Sequence, residues 1–383
     1  MKCKLSDICS FRKGKVEVEN LNAKNYISTE NILPNKCGIT EASSLPTVSL
    51  TQEYNSGDVL VSNIRPYFKK IWQAEYDGGC SNDVLVFVPK PNTDKDFLYY
   101  VLADDDFFTY SMATSKGTKM PRGDKTSIMQ YEVPLIDLQV QKKIASVLKA
   151  LDERIKLNNE INNNLEQQIS ALFINMFGFN IDNLVENKFS LGDLVESVDN
   201  RGKTPPLSDK PTSYPIIDVK ALSGDIRIVD YNNCTKYVDE ETYNNWFRSG
   251  HPKQYDILIS TVGSLAEMKI FLGDIGCIAQ NVVGFRSKGV SPLYLYQYLN
   301  YIKSDLVAYN IGSVQPSIKV THIIKHPIYV APQDELDKFD SVARSITEKI
   351  FANCQENEDL KLLRDTLLPK LMSGELDVSD IDL

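Results

Sequence analysis

The sequence predicts an α+β protein: two tandem mixed α/β blocks separated by an antiparallel two-helix coiled coil, arranged as an internal pseudo-two-fold repeat with a period of about 195 residues. Two observations predict it. Short motifs recur in the same order in both halves of the 383-residue chain, and each half closes on a long helical pattern with asparagines at matching seam positions.

The recurrences gain their weight from their order. "LSDI" at 5–8 resembles "LGDL" at 191–194, "DVLVS" at 58–62 resembles "DILIS" at 256–260, and "NDVLVF" at 82–87 resembles "QNVVGF" at 280–285. "GTKMPRGDKTSI" at 117–128 matches "GSVQPSIKVTHI" at 312–323, keeping Gly117/Gly312, Pro121/Pro316 and Thr126/Thr321 in step. The second and third pairs lie 198 residues apart and the last 195, which reads as a tandem duplication.

The chain accordingly divides into a first block at 1–138, a long helix at 139–178, a linker at 179–188, a second block at 189–333, a second long helix at 334–372 and an acidic tail at 373–383. Within the blocks, "GDVLVSNI", "DVLVFV", "YDILISTV" and "NVVGF" are apolar runs bounded by Gly, Asn and Asp, and predict strands. "DFLYYVLADDDFFTYSM" and "PLYLYQYLNYIKSDLVAY" each gather apolar and aromatic residues on one face and predict helices. Pro332 stands just before the second long helix, where a missing N–H costs little.

The seam of the first long helix reads Leu148, Leu151, Ile155, Asn158, Asn162, Leu165, Ile169, Leu172, Met176. The second reads Ala343, Ile346, Ile350, Asn353, Asn357, Leu360, Arg364, Leu367, Leu371, so both asparagines recur. Buried amides cost stability and are satisfied when they meet each other, so Asn158, Asn162, Asn353 and Asn357 are assigned the register of the helix pair. An antiparallel pair places Asn158 beside Asn357 and Asn162 beside Asn353; a parallel pair places Asn158 beside Asn353. Arg364 interrupts the second seam, and either the register drifts there or it pairs with an acid such as Asp152. A helix of about 38 residues spans roughly 57 Å, so the expected molecule is a caliper with two related heads on a rigid spacer.

Composition narrows the function. Hydrophobic residues make up 42% and charged residues 24%, which suits packed domains. There is no apolar run of eighteen residues and no signal-peptide core, and the seven dispersed cysteines suit reduced thiols, so a soluble cytoplasmic protein is expected. His322 and His326 stand four apart before Pro327 and read as ordinary packing or surface histidines; no metal site is expected. The formal charge of −9 is unevenly spread: residues 1–138 carry 16 basic and 18 acidic side chains, 189–333 carry 14 of each, and 334–383 carry 6 and 13. The blocks are near neutral and can still present basic faces.

Two heads at a fixed spacing suit a repeating polymer such as double-stranded DNA. Candidate contacts in the first block are Arg65, Tyr67, Lys69 and Lys70 just beyond a strand, and Lys116, Lys119, Arg122 and Lys125 in a Gly/Pro-punctuated loop. The second block offers Asn200, Arg201, Lys203, Arg248 and Lys253, with Ser313, Gln315 and Lys319 in the matching loop. Arg and Lys suit phosphates and guanine edges, while Asn and Gln suit adenine. Catalytic patterns are missing: no GxxxxGK[ST] loop, no [DNS]PP[YFW] tetrapeptide ("TPPL" at 204–207 departs from it), no nucleophile elbow in "GSLAE" at 263–267, and three histidines, all late in the chain. No intrinsic activity is expected.

With these residues assembled, the chain resembles a type I restriction-modification specificity (S) subunit. The resemblance rests on "GDVLVSNIRP", "GGCSNDVLVF", the G-[ST]-x-x-P loop before each long helix, "VPLIDLQVQKKIASVLKALDERIKLNNE" and the close "LRDTLLPKLMSGELDV". It implies two target recognition domains that each read half of a split DNA site, with the helices as spacers. It further implies two copies of a modification subunit supplying S-adenosylmethionine-dependent adenine methylation, with two copies of an ATP-driven restriction subunit able to join. Both cofactors then sit on partner subunits and none on this chain. The acidic C-terminal segment reads as a partner-docking surface. Three other readings compete: a recognition subunit whose partner lacks nuclease activity, a coiled-coil adaptor whose heads bind proteins, and an acidic DNA mimic.

Overall fold

The computed structural model describes residues 1–183 and 189–378. Parts of the expected linker (184–188) and tail (379–383) lie outside the described residues. The chain forms two compact units, residues 1–155 with 358–383 and residues 156–357. Each therefore combines one block with a stretch of each long helix.

In the first unit, strands Cys9–Phe11, Val84–Pro89, Val59–Ser62 and Ile71–Gln73 form an antiparallel sheet in that order. The two central strands are continuous apolar runs because both faces are covered. Val59, Val61, Leu85 and Phe87 point into a core with the helices, whereas Leu60, Val84 and Val86 pack with Tyr54 and Trp72 on the other side. A second sheet orders Lys15–Glu17, Leu50–Tyr54, Gly78–Cys80 and Tyr26–Ile27, the last pair parallel. Lys2–Lys4 pairs with Glu132–Pro134, tying the chain start to the end of the block.

The second unit repeats this plan. Val195–Val198, Val282–Ser287, Ile257–Ser260 and Met268–Ile270 form the four-stranded sheet. Tyr237–Val238, Tyr214–Ile217 and Cys277–Ile278 form the other, again with one parallel pair, and Phe189–Ser190 closes on Pro327–Ile328. Registers match too: Ile257 faces Phe285 as Val59 faces Phe87. The spacing differs by place, 198 within this sheet but 186 between the opening strand residues Cys3 and Phe189, whose partners Val133 and Ile328 stand 195 apart.

Each stretch expected as one helix between sheet and loop is two. Lys95–Ala103 ends at Asp104, whose carboxylate accepts from Asp106 N and starts Asp105–Ala113; Pro292–Tyr301 breaks at Ile302 before Lys303–Ala308. A side chain that caps a new helix competes with continuing the old one.

The long helices span Leu138–Phe173 and Gln333–Ser373. The first continues through a wider turn at Ile174–Gly178 into helical Phe179–Asp182, so the opening of the expected linker is helical. Ile181 explains it, being buried in the same core as Phe173 and Phe177. Within the second unit the two helical stretches run antiparallel: Asn158 Nδ2 donates to Asn357 Oδ1 at 3.0 Å, and Asn353 Nδ2 to Asn162 Oδ1 at 2.7 Å. Within the first unit Arg364 meets Asp152 at 2.7 Å, and Tyr100 donates to the same carboxylate at 2.7 Å. Among the described residues no helix is long and apolar enough to cross a membrane.

Candidate nucleic-acid interface

In the first unit the two basic segments that are far apart in sequence meet at one end of the four-stranded sheet. Strand Val59–Ser62 runs out into Asn63–Arg65, and the loop at 115–125 is stitched to it. Arg65 N donates to Pro121 O at 2.8 Å, Gly123 N to Asn63 O at 3.3 Å, and Ile64 bridges Arg122. Asn63 N donates in turn to Asp83 O at 2.8 Å. Arg65 and Lys69 hold left-handed backbones around the Pro66–Phe68 turn, at φ 50° each. Non-glycine residues in that region are strained, and such strain gathers at functional loops.

The second unit makes the same bonds with other side chains. Gly263 N donates to Pro316 O at 3.0 Å, Ile318 N to Thr261 O at 2.8 Å, Thr261 N to Asn281 O at 2.7 Å, and Val262 bridges Ser317. The segment at 199–204 joins this end: Gln280 Nε2 donates to Thr204 Oγ1 at 2.9 Å, and Arg248 donates to Arg201 O at 2.8 Å. Ser313, Gln315, Lys319, Lys203 and Arg248 are exposed.

Charge at these loops is largely matched internally. Lys69 pairs with Asp105 at 2.6 Å, Lys116 with Asp124 at 2.6 Å, Arg122 with Asp83 at 3.2 Å and Arg201 with Asp199 at 2.7 Å. The Lys116 hydrogen bond holds the Asp124 carboxyl down to about 2, and Arg201 likewise lowers Asp199. Burial works to raise Asp105, but Lys36 and Lys69 together outweigh it and the carboxyl ends below its ordinary value. Ion pairs near the surface are weak and screened by salt, so a phosphate can replace the carboxylate at little cost. Lys119 and Lys203 are exposed with no ion pair among the described residues, and Lys125 lies 5.9 Å over the Phe11 ring. Tyr67 is half exposed and rests against Phe68.

Three expected contacts are placed elsewhere. Asn200 is buried: its Nδ2 donates to Gly250 O at 2.9 Å and its Oδ1 accepts from Ser249 N at 2.9 Å, so it staples the loop that presents Arg201 and Arg248. Lys70 donates to Thr29 O at 2.5 Å, and burial pulls its pKa down. Lys253 precedes strand Ile257–Ser260, whereas the loop cluster follows it, so Lys253 sits at the opposite end of the sheet. Asp83, Thr261, Gln280 and Asn281, which the sequence reading passed over, are part of the cluster. The signal for Asp83, Gln280 and Asn281 lies in the recurring "NDVLVF" and "QNVVGF", and Thr261 stands near the end of the apolar run "YDILISTV". His326 Nδ1 lies 2.9 Å from Tyr309 Oη, and among the described residues no three His, Cys, Asp or Glu side chains converge on a metal-sized site.

Comparison with known proteins gives this geometry a family. The family model for the type I restriction modification DNA specificity domain matches residues 1–167 and again 185–352. The type I restriction enzyme MjaIX specificity subunit of Methanocaldococcus jannaschii is 25% identical over 315 residues, covering 77% of this chain and 72% of that protein. The type I restriction enzyme HindI specificity subunit of Haemophilus influenzae is 24% identical over 437 residues, covering 92% and 94%. The solved type I restriction-modification S subunit from M. genitalium shares the fold, with a TM-score of 0.56 at 17% identity over 97% of this chain and 96% of that one. With both matches of the family model falling on the two copies of the same sheet and loop framework, the chain belongs to the type I restriction-modification DNA specificity family.

Proposed function

We propose that this chain reads an asymmetric, bipartite DNA site, one block per half-site, and scaffolds the subunits that modify and cut DNA. The observation that carries the reading is the duplicated loop framework: the same main-chain hydrogen bonds hold an exposed polar loop against a strand end in both units, while the side chains presented differ. A shared framework with different side chains suits two related readers of two different sequences.

In this reading residues 1–138 and 189–333 are the target recognition domains, and the long helices form an antiparallel coiled coil that sets the gap between half-sites. Asn158, Asn162, Asn353 and Asn357 then serve as register keys, a role that their mutual hydrogen bonds support. Two modification subunits bring S-adenosylmethionine, and restriction subunits bring ATP, to a complex working in the cytoplasm. The C-terminal segment, with 6 basic and 13 acidic residues over 334–383, serves docking of these partners.

The test is an adenine-methylation map of the host genome with this gene intact and deleted, joined to DNA binding by the assembled complex. Deletion is expected to erase one asymmetric motif split by a fixed gap. Arg122→Ala and Lys319→Ala are each expected to weaken binding and to lower the slope of log affinity against log salt by about 1. An unchanged map together with no DNA binding would move the protein-adaptor reading to the front.

A further inference from the structure

The hydrogen bonds that superimpose the two loop frameworks also align their side chains. Arg65 N and Gly263 N make the same bond, Ile64–Arg122 and Val262–Ser317 the same bridge, and Asn63 N–Asp83 O corresponds to Thr261 N–Asn281 O. Lys116 N donates to Arg122 O at 2.9 Å as Ile311 N donates to Ser317 O at 2.9 Å. The alignment therefore sets Arg65 against Gly263, Lys116 against Ile311, Lys119 against Val314, Arg122 against Ser317 and Lys125 against Val320. At each of these places the first unit carries a cation and the second a neutral residue. The acids change as well: Asp83 becomes Asn281, and Asp124 becomes Lys319.

Val314 is the unexpected member. It is 97% exposed at the loop apex, flanked by exposed Ser313 and Gln315. The apex is held rather than loose. Asn310 Oδ1 accepts from Gly312 N at 3.0 Å and from Ser317 N at 2.9 Å, across the loop's neck. The turn is also so tight that a Cβ on Gly312 would stand 1.9 Å from Gln315 O. A β-branched side chain on such an apex has little freedom left to lose on binding. Its immediate neighbours are an amide and a hydroxyl, the groups that read base edges.

Resting on the recognition reading above, we infer that the two units read DNA by different physics. The first holds its half-site through charge, with Lys119 and Arg122 on phosphates. The second keeps Lys319 for a phosphate but discriminates through neutral contacts, with Val314 against the C5 methyl of a thymine in the major groove and Gln315 on an adjacent base edge. Apolar contact is how a protein senses that methyl, since it offers no hydrogen bond.

The experiment uses the full chain assembled with its methyltransferase partner, a duplex carrying the motif methylated in vivo, and a scrambled duplex of equal length. Each thymine of the motif is replaced in turn by deoxyuridine, which removes the methyl and nothing else. The wild-type complex is expected to lose about 4-fold in affinity at one thymine, the worth of one buried methyl group. V314A is expected to be indifferent to that same replacement, with its salt slope unchanged. K119A is expected to weaken motif and scrambled duplexes alike and to lower the slope by about 1. A wild-type complex indifferent to every methyl removal overturns the inference, as does a V314A complex that loses as much as wild type. K119A changing discrimination with the slope intact would overturn the charge assignment to the first unit. If the wild-type complex does not distinguish the motif from the scrambled duplex at all, it is the recognition reading that fails.

Discussion

Lys269 shows how much a single residue's position depends on the fold. It lies in the short strand Met268–Ile270 yet is only 2% exposed, with its ammonium held by the carbonyls of Gly224 and Ile226. Burial disfavours its charged form and draws its pKa from 10.5 down to about 8. Between those values the unfolded chain binds a proton that the folded chain has released, so stability from this group rises with pH across the window. Wild type is expected to gain on Lys269→Met by up to about 3 kcal/mol from pH 8 to 10.5, read from denaturant melts of both proteins; a difference independent of pH would contradict the burial. Arg227 is as deeply placed, 1% exposed, but its guanidinium meets Glu166 at 2.8 Å and Thr347 Oγ1 at 2.9 Å, so a carboxylate and a hydroxyl offset what burial costs it. Neither residue is distinguishable in the sequence from a surface cation, because what buries them comes from segments about 40 to 120 residues away.

At the scale of elements, periodicity carried further. The strands and both long helices follow from apolar spacing, and the asparagine mates follow from helix geometry once the orientation is chosen. The asparagine layers are imperfectly satisfied, since Asn158 Oδ1 and Asn353 Oδ1 are buried without a partner among the described residues. Asn162→Leu alone strands the amide of Asn353 and is expected to lower stability by about 1–3 kcal/mol. Replacing all four asparagines by leucine removes the stranded groups together and is expected to raise the melting temperature while loosening the register. Cysteines introduced by Leu165→Cys and Ile350→Cys, on facing helices of one core, report that register by their crosslinking yield in both backgrounds. A quadruple variant that melts lower than wild type would show that the amides contribute net stability. The helices at 95–113 and 292–308 show where periodicity fell short: the apolar face continues, but a capping aspartate or a local break ends the hydrogen-bond run.

At the scale of the whole molecule, the opening strands and the close of the second long helix belong to one folding unit. Leu368, Leu371 and Met372 from the second long helix are buried with Phe97, Val101, Leu148 and the sheet residues Val59 and Phe87. Ending the chain after Asn357 is therefore expected to expose the first block, not to trim a tail. Amide exchange at 97–108 and 144–148 would rise sharply in the truncated chain, while protection at 257–260 would persist in the second unit's own sheet. Equal loss of protection in both units would show that they unfold as one. As a member of the specificity family the chain is a non-catalytic subunit, which agrees with the missing phosphate loop, methyltransferase tetrapeptide and nucleophile elbow.

By itself the sequence determined the duplication, the apolar strands, the two long helices and the pairs of asparagines that meet in the antiparallel arrangement. These follow from repetition and from fixed residue periods, which are local properties of the chain. Tertiary structure decided which loops share a surface and in what state of charge. Arg122 reaches Asp83, Asn200 turns inward to Ser249 and Gly250, Lys253 falls at the far end of its strand, and Val314 is left standing at an apex. Each outcome depends on hydrogen bonds and packing between segments distant in sequence, and no local period encodes which of those segments will meet.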